Sequence, residues 1–528
     1  MNAEDGMAEF DGRLPRAEDV PESFRFPAVE NRQYLQGGIR SWEGPQQPVL
    51  SPIPLRDDSG GAAQARIGSV PRLSAAVAEA AVRTASEAFD AGDGPWPALS
   101  LEQRADIVRA FVEDLRPLRA HIALHIMWEV GKVYEEACNE FDRTLEYTLE
   151  TADAALDLDK RERRDTSLQQ VVGRVDLLPI GVALCVGPYN YPFYETLTNA
   201  IPALLMGNTV IIKAPPQGAL LYGLLLPVFA RHFPDGIVSV LFGDGEELLL
   251  PIMRSGLVSI LAFIGTSATA DALITAHPAP HRLHTVLGME AKNAGVVLQD
   301  APMDITVEEV VKGALAFNGQ RCAAIKMLFV HADIAQDFIA RLRKEFSATA
   351  PGMPWEAVRC TPVISAAHAD YLSALCRDAL EKGAVMENTG GGARLHTLLH
   401  PALLSGVRED MRIFNEEQFG PVLPVITFRR VDEALHYIKH ARYGQQCSVF
   451  GSDPAVLRRI ITAAARYVGR VNINGKCQRG PDHFPFTGKR DSALGTVSIE
   501  EALRRFCVST VIATPEYTEN TALWKRLS

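Results

Sequence analysis

Five short apolar runs, GVALCVG (181–187), NTVIIKA (208–214), GIVSVLFG (236–243), VSILAFIG (258–265) and LHTVLGM (283–289), recur about every 25 residues between longer amphipathic stretches. Bounded by Gly or Pro and apolar on both faces, they read as strands covered above and below rather than strands with one wet side. Parallel neighbours need crossovers, and the intervening stretches are long enough to supply helices. The reading is a doubly wound α/β domain with a parallel sheet, and the ligands of such sheets sit beyond the carboxyl ends of the strands.

Upstream, Leu73 to about Asp159 reads as helical. Ser100 with Gln103 forms a capping-box pair, after which Ala105, Val108, Phe111 and Leu115 fall on one face. The first thirty or so residues mix charge, Pro and Gly without periodicity and read as a mobile arm or a strap on another part of the molecule. Downstream, a second α/β segment has strands near Lys326–His331, Leu423–Phe428, Ser448–Gly451 and Arg470–Ile473. The last strand-like run, Cys507–Thr514, follows a helix at 498–506 and stands apart, suited to add to a neighbour's sheet.

At 528 residues with 47% hydrophobic and 22% charged side chains, the chain can bury a large core divided over two or three domains. Its 53 Lys and Arg against 64 Asp and Glu give a net charge of -11, which leaves no basic excess for gripping a nucleic-acid backbone. The apolar stretch Ala219–Ala230 is interrupted by Pro227 and followed by Arg231, too short for a membrane span. The polar, acid-rich N-terminus lacks the pattern of a secretory signal. Eight cysteines are scattered without a CxxC pair or a zinc spacing, so reduced thiols, a cytoplasmic location and no metal site are expected.

Three local features bear on chemistry. Gly243-Asp244-Gly245 follows a strand and opens a helix but lacks the third glycine of GxGxxG, and a turn without a ligand explains it equally well. In FIGTS (263–267), Gly265 and Thr266 stand at a strand end where backbone N–H groups can receive a phosphate; a plain N-cap accounts for Thr266 without one. Cys322, in FNGQRCAA (317–324), adjoins Arg321 in a Gly-containing turn, where positive charge and helix N–H groups favour a thiolate. The other seven cysteines read as structural.

GPYNYP (187–192), KAP (213–215), GQRC (319–322), EQFGPV (417–422) and FPFTG (484–488) stand in the order and at the spacing of the aldehyde dehydrogenase superfamily, which the chain resembles over roughly residues 33–514. QRGPDHFPF (478–486) also resembles the NADP-dependent, non-phosphorylating glyceraldehyde-3-phosphate dehydrogenases. The resemblance implies an aldehyde dehydrogenase-like α/β fold: an N-terminal arm at 1–33, a cofactor-binding domain of 34–160 and 181–289, and a catalytic domain of 290–495. It further implies a small β oligomerisation element of 161–180 with 496–514, a tail at 515–528, and assembly as a homodimer or homotetramer.

It also implies roles. Cys322 is the nucleophile, and the Asn190 amide with the Cys322 backbone N–H faces the oxyanion. Lys213 contacts the adenosine ribose, Glu417 and Phe419 position the nicotinamide end, and Gly245, Gly265 and Thr266 belong to the cofactor side. Pro216 stands three after Lys213, where NAD-preferring relatives often carry an acid; without a carboxylate there, NADP is favoured, with NAD as the alternative. Arg143, Tyr191, Arg321 and Arg479 are expected around a substrate phosphate, since a guanidinium fork suits phosphate oxygens. For Arg143 an i, i+3 pair with Glu146 is the plain alternative.

One position departs from the pattern. Family members carry Glu-Leu-Gly-Gly-Lys, whose Glu is the general base; LGMEAKN (287–293) puts Gly288 there and Glu290 two residues on. Glu290 is then the replacement base, or else it pairs with Lys292 or a neighbouring helix. The expected reaction is oxidation of glyceraldehyde 3-phosphate to 3-phosphoglycerate. The alternatives are a general aldehyde or semialdehyde dehydrogenase, a binding protein that has lost catalysis, and a cysteine esterase.

Overall fold

The computed structural model describes residues 14–26, 28–57 and 61–527. The five quoted runs form β1 (Val182–Val186), β2 (Thr209–Lys213), β3 (Val238–Leu241), β4 (Val258–Ile264) and β5 (His284–Gly288). They lie parallel in the order β5-β4-β1-β2-β3, extended by Ala493–Leu494 at the β5 edge and by Gln33–Leu35 and Ile39–Ser41 at the other. Every residue of β1 and β2 is buried, which is why these runs show no alternation. The chain moves outward from β1 to β3 and then returns to β1's other flank with β4, so the strand order switches beside β1.

Helices cover the sheet: α1 (Ala75–Phe89), α2 (Leu101–Leu115), α3 (Arg119–Val130) and α4 (Tyr134–Glu162) precede it, and α5 (Tyr194–Leu205), α6 (Leu220–His232), α7 (Gly245–Arg254) and α8 (Ser267–Ala276) link its strands. The Ser100–Gln103 capping box closes in both directions, and Ala105, Val108, Phe111 and Leu115 are buried as their spacing required. The start of α6 is held by Glu129 of α3, whose carboxylate accepts from the N–H groups of Gly218, Leu220 and Leu221. Residues 14–26 are a strap: Leu14 and Val20 are buried, and Trp128 of α3 donates to the Phe24 carbonyl at 2.7 Å. The arm before Leu14 lies outside the described residues.

A second parallel set, β6 (Ala294–Val297), β7 (Met327–His331), β8 (Val422–Phe428), β9 (Gln446–Phe450) and β10 (Arg470–Ile473), runs in the order β8-β7-β6-β9-β10. A third, antiparallel sheet joins Thr166–Leu168, Val171–Pro179 and Cys507–Pro515. The sequence suggested that the last run adds to a neighbour's sheet; it pairs instead with Val171–Pro179 of its own chain, from Cys507 opposite Pro179 to Pro515 opposite Val171. Among the described residues no helix is long and apolar enough to cross a membrane.

Candidate active site

The carboxyl ends of β1, β2, β4 and β5 open on a cavity of about 660 Å³. The cofactor-side sheet contributes Asn190, Pro216, Gly265, Thr266 and Glu290 to its wall; the second α/β segment contributes Cys322, Glu417 and Phe419. The site thus forms at the switch in strand order, where the loops after β1 and β4 diverge.

Cys322 is partly exposed and the other seven cysteines are buried. Its loop follows a tight turn in which Phe317, Asn318 and Gly319 all have positive φ. A Cβ at Gly319 would stand 2.6 Å from the Gly420 carbonyl oxygen and 2.7 Å from that of Ala314, so only glycine lets this turn pack against the Phe419 loop. The expected easing of the thiolate is not the net outcome. Burial pushes the Cys322 thiol up and the Glu195 carboxylate adds to this, outweighing Lys326, Arg479 and Arg321, which pull it down.

Asn190 Nδ2 donates to the Gln320 carbonyl at 2.8 Å, which ties the amide to the cysteine loop and leaves its second N–H free. The Cys322 backbone N–H has no hydrogen-bond partner among the described residues. The Cys322 loop and the amide bonded to it thus keep two unspent N–H donors, which is what an oxyanion formed at this thiol would need. Asn190 is held in turn by Lys132, whose ammonium donates to the Asn190 carbonyl at 2.8 Å and to Glu140 at 2.5 Å, both side chains being buried. Glu140 also accepts from the N–H groups of Phe193 and Tyr194 at the start of α5. Removing one partner of such a buried pair costs about 3–5 kcal/mol, so this pair fixes the Asn190 loop firmly.

On the cofactor side, Lys213 ends β2 with its side chain buried and without a hydrogen-bond or ion-pair partner among the described residues. Burial pushes its ammonium down to about 8, with Asp244 opposing. Glu417 accepts from Lys326 Nζ at 2.5 Å and the Ala291 N–H at 3.1 Å, and Phe419 packs edge-on to Tyr189. Gly245 is not on the cavity wall: the Asp244 carboxylate caps α7 by accepting from the N–H groups of Glu246 and Glu247. Thr266 is an N-cap, accepting from Thr269 N–H at 3.2 Å, and Gly265 N–H is bonded to the Gly288 carbonyl.

Glu290 lines the cavity, but its carboxylate accepts from the Ser267 N–H at 2.9 Å, at the start of α8. Its contact is thus the neighbouring helix, and Lys292 bonds elsewhere, to the Glu416 carbonyl and Gln418.

The four residues expected at a substrate phosphate do not meet on the cavity wall. Arg143 makes a bidentate pair with Asp482 at 2.9 and 2.6 Å, rather than bonding Glu146. Arg479 is buried, pairs through Nη1 with Glu195 and has Asp482 3.5 Å from Nε, leaving Nε and Nη2 without a hydrogen-bond partner. Tyr191 lies under the Lys132 ammonium, 3.6 Å from the ring centroid, and Arg321 has no ion-pair or hydrogen-bond partner among the described residues. Glu195, which the sequence reading passed over, is on the wall where an arginine was expected. It stands three residues after GPYNYP, and an acid there was the available signal.

Residues 59–512 match the Aldehyde dehydrogenase family. The NADP-dependent glyceraldehyde-3-phosphate dehydrogenase of Streptococcus equinus is 31% identical over 442 residues, which is 83% of this chain and 90% of that protein. The succinate-semialdehyde dehydrogenase [NADP(+)] of Deinococcus radiodurans is 31% identical over 464 residues, covering 85% and 91%. The crystal structure of the Bacillus halodurans NADP-dependent glyceraldehyde-3-phosphate dehydrogenase complexed with NADP superposes with a TM-score of 0.83 at 31% identity, covering 92% of this chain and all of that one. With the partly exposed cysteine, the Asn190 amide tied to its loop and the match along most of its length, the chain belongs to the aldehyde dehydrogenase family.

Proposed function

We propose that the chain oxidises glyceraldehyde 3-phosphate to 3-phosphoglycerate with NADP, through a covalent cysteine intermediate. The observation that supports the phosphate is the Arg479 guanidinium, which stands behind the wall residue Glu195 with Asp482 3.5 Å from its Nε and has a buried Nη2 without a hydrogen bond, a donor that a phosphate displacing Glu195 would engage. The names of the Streptococcus and Bacillus relatives support the same substrate. The Cys322 thiolate adds to the aldehyde carbon, the Asn190 amide and Cys322 N–H take the oxyanion, and a thioester remains on sulfur once the hydride is lost. NADP, when bound, supplies the hydride acceptor. Water then releases the acid.

The residues present fit that cofactor, because the unpartnered Lys213 ammonium calls for an anion and Pro216 opposes none. Pro216→Glu is expected to shift preference toward NAD by tenfold or more in the ratio of kcat/KM values; an unchanged ratio would remove Pro216 from cofactor choice. NADP affinity is expected to fall as pH rises through about 8, where Lys213 loses its charge, while NAD affinity stays level. Titrations of both nucleotides between pH 7 and 9 check this.

Arg479→Ala is expected to lower kcat/KM for glyceraldehyde 3-phosphate by roughly 10- to 100-fold beyond its effect on glyceraldehyde, as loss of a charge-assisted contact of about 1.5–3 kcal/mol predicts. Equal losses on both would remove Arg479 from phosphate recognition. A second reading, an unphosphorylated aldehyde or a semialdehyde, is favoured by the Glu195 carboxylate on the wall. Steady-state rates on glyceraldehyde 3-phosphate, glyceraldehyde and succinate semialdehyde with each cofactor decide between the two.

The same reading assigns residues 34–160 with 181–289 to cofactor binding, 290–495 to catalysis, and 161–180 with 496–514 to assembly of a cytoplasmic homodimer or homotetramer. Exposed Leu168, Val508, Val511 and Ile512 on the third sheet support the last assignment, being apolar surface that assembly covers.

A further inference from the structure

Hydrolysis of the thioester needs a base within one water of Cys322, and Gly288 stands where the family supplies a carboxylate for it. No packing demand explains that glycine. A Cβ there would meet only the Ile264 side chain, at 3.4 Å or more, and its φ is not in the left-handed region. Three carboxylates line the cavity among the described residues: Glu195, Glu290 and Glu417. Glu290 is bonded to Ser267 at the start of α8. Glu417 is held between Lys326 and the Ala291 N–H. Glu195 differs from both. It sits in the first turn of α5, which Glu140 anchors, and its Oε2 is fixed by Arg479 while Oε1 has no hydrogen-bond partner among the described residues. Of the three, it is also the one whose charge acts on the Cys322 thiol.

Resting on the reaction proposed above, we infer that Glu195 is the general base for deacylation, in place of the carboxylate missing at Gly288. A water between Glu195 Oε1 and the acyl group gives its proton to the carboxylate as its oxygen bonds to the acyl carbon. The C–S bond then breaks with its electron pair returning to Cys322, and the acid and Glu195 lose their protons to solvent. Arg479 positions the base by holding its other oxygen.

The test is rapid-mixing NADPH absorbance on Glu195→Gln, which preserves shape, beside Glu290→Gln and the double variant Glu195→Gln with Gly288→Glu. Expected for Glu195→Gln is a burst of about one NADPH per site followed by turnover slowed ~10²-fold or more, because hydride loss precedes the step that needs the base. Gly288→Glu in that background is expected to restore turnover at least tenfold, which a merely structural lesion would not allow. Turnover in Glu195→Gln within threefold of wild type, a burst lost in proportion to turnover, or the burst-then-slow pattern in Glu290→Gln alone would each overturn the assignment. A wild-type enzyme that forms no NADPH from any aldehyde would instead remove the proposed reaction, and this inference with it.

Discussion

Cys322→Ala is expected to lower NADPH formation by a factor on the order of 10⁴ or more while leaving cofactor affinity within a few-fold of wild type. The reason is structural. Seven cysteines are buried, burial pushes the thiols of six of them up, and Cys322 alone is partly exposed, on the cavity wall. No second thiol can take its place. Because burial also raises the Cys322 thiol, the acylation rate is expected to climb with pH across the neutral range as the thiolate fraction grows. Stopped-flow absorbance and equilibrium titration with the cofactor separate the two effects. Wild-type-like turnover in the variant would mean that another nucleophile carries the reaction.

Asn190→Ala is expected to cost ~10²–10³ in kcat with a small change in KM, as loss of one preorganised oxyanion donor does. The amide is placed by its bond to the Gln320 carbonyl and by Lys132 on its own carbonyl, so its free N–H needs no rearrangement when charge develops. Asn190→Asp is a sharper version, since it puts an acceptor where a donor is required. Steady-state kinetics on one aldehyde over a range of concentrations gives both constants. A rise in KM with kcat intact would make Asn190 a binding residue only.

The parts of the fold written in local pattern were legible. β1 and β2 are buried on both faces and so appear as unbroken apolar runs, and the Ser100–Gln103 box forms because its two bonds span three residues. What sets Cys322 apart from the other cysteines was legible in its neighbours, because it follows directly on a turn that Gly319 permits and lines the cavity. What failed to show was set by residues distant in sequence. Arg479 and Glu195 lie 284 residues apart, and Arg143 and Asp482 lie 339 apart, so an arginine that suits a phosphate reads the same whether or not a carboxylate already holds it. The partner of the last strand, Val171–Pro179, is likewise distant, and only the resemblance, which put 161–180 with 496–514, brought the two segments together. Glu290, two residues from Gly288, does line the cavity, and of the alternatives given for it the neighbouring helix holds: the parallel register of β4 and β5 brings the start of α8 to its carboxylate.

In the proposed reaction a hydride passes from the aldehyde to NADP while the acyl group is held on Cys322. Absorbance at 340 nm tests it most directly, recorded after mixing NADP with glyceraldehyde 3-phosphate, glyceraldehyde or succinate semialdehyde and either the wild-type protein or Cys322→Ala. Expected is NADPH from the wild type with at least one of these aldehydes, greatest with glyceraldehyde 3-phosphate, and none above background from Cys322→Ala. No NADPH from the wild type with any aldehyde, or equal NADPH from the two proteins, would contradict it.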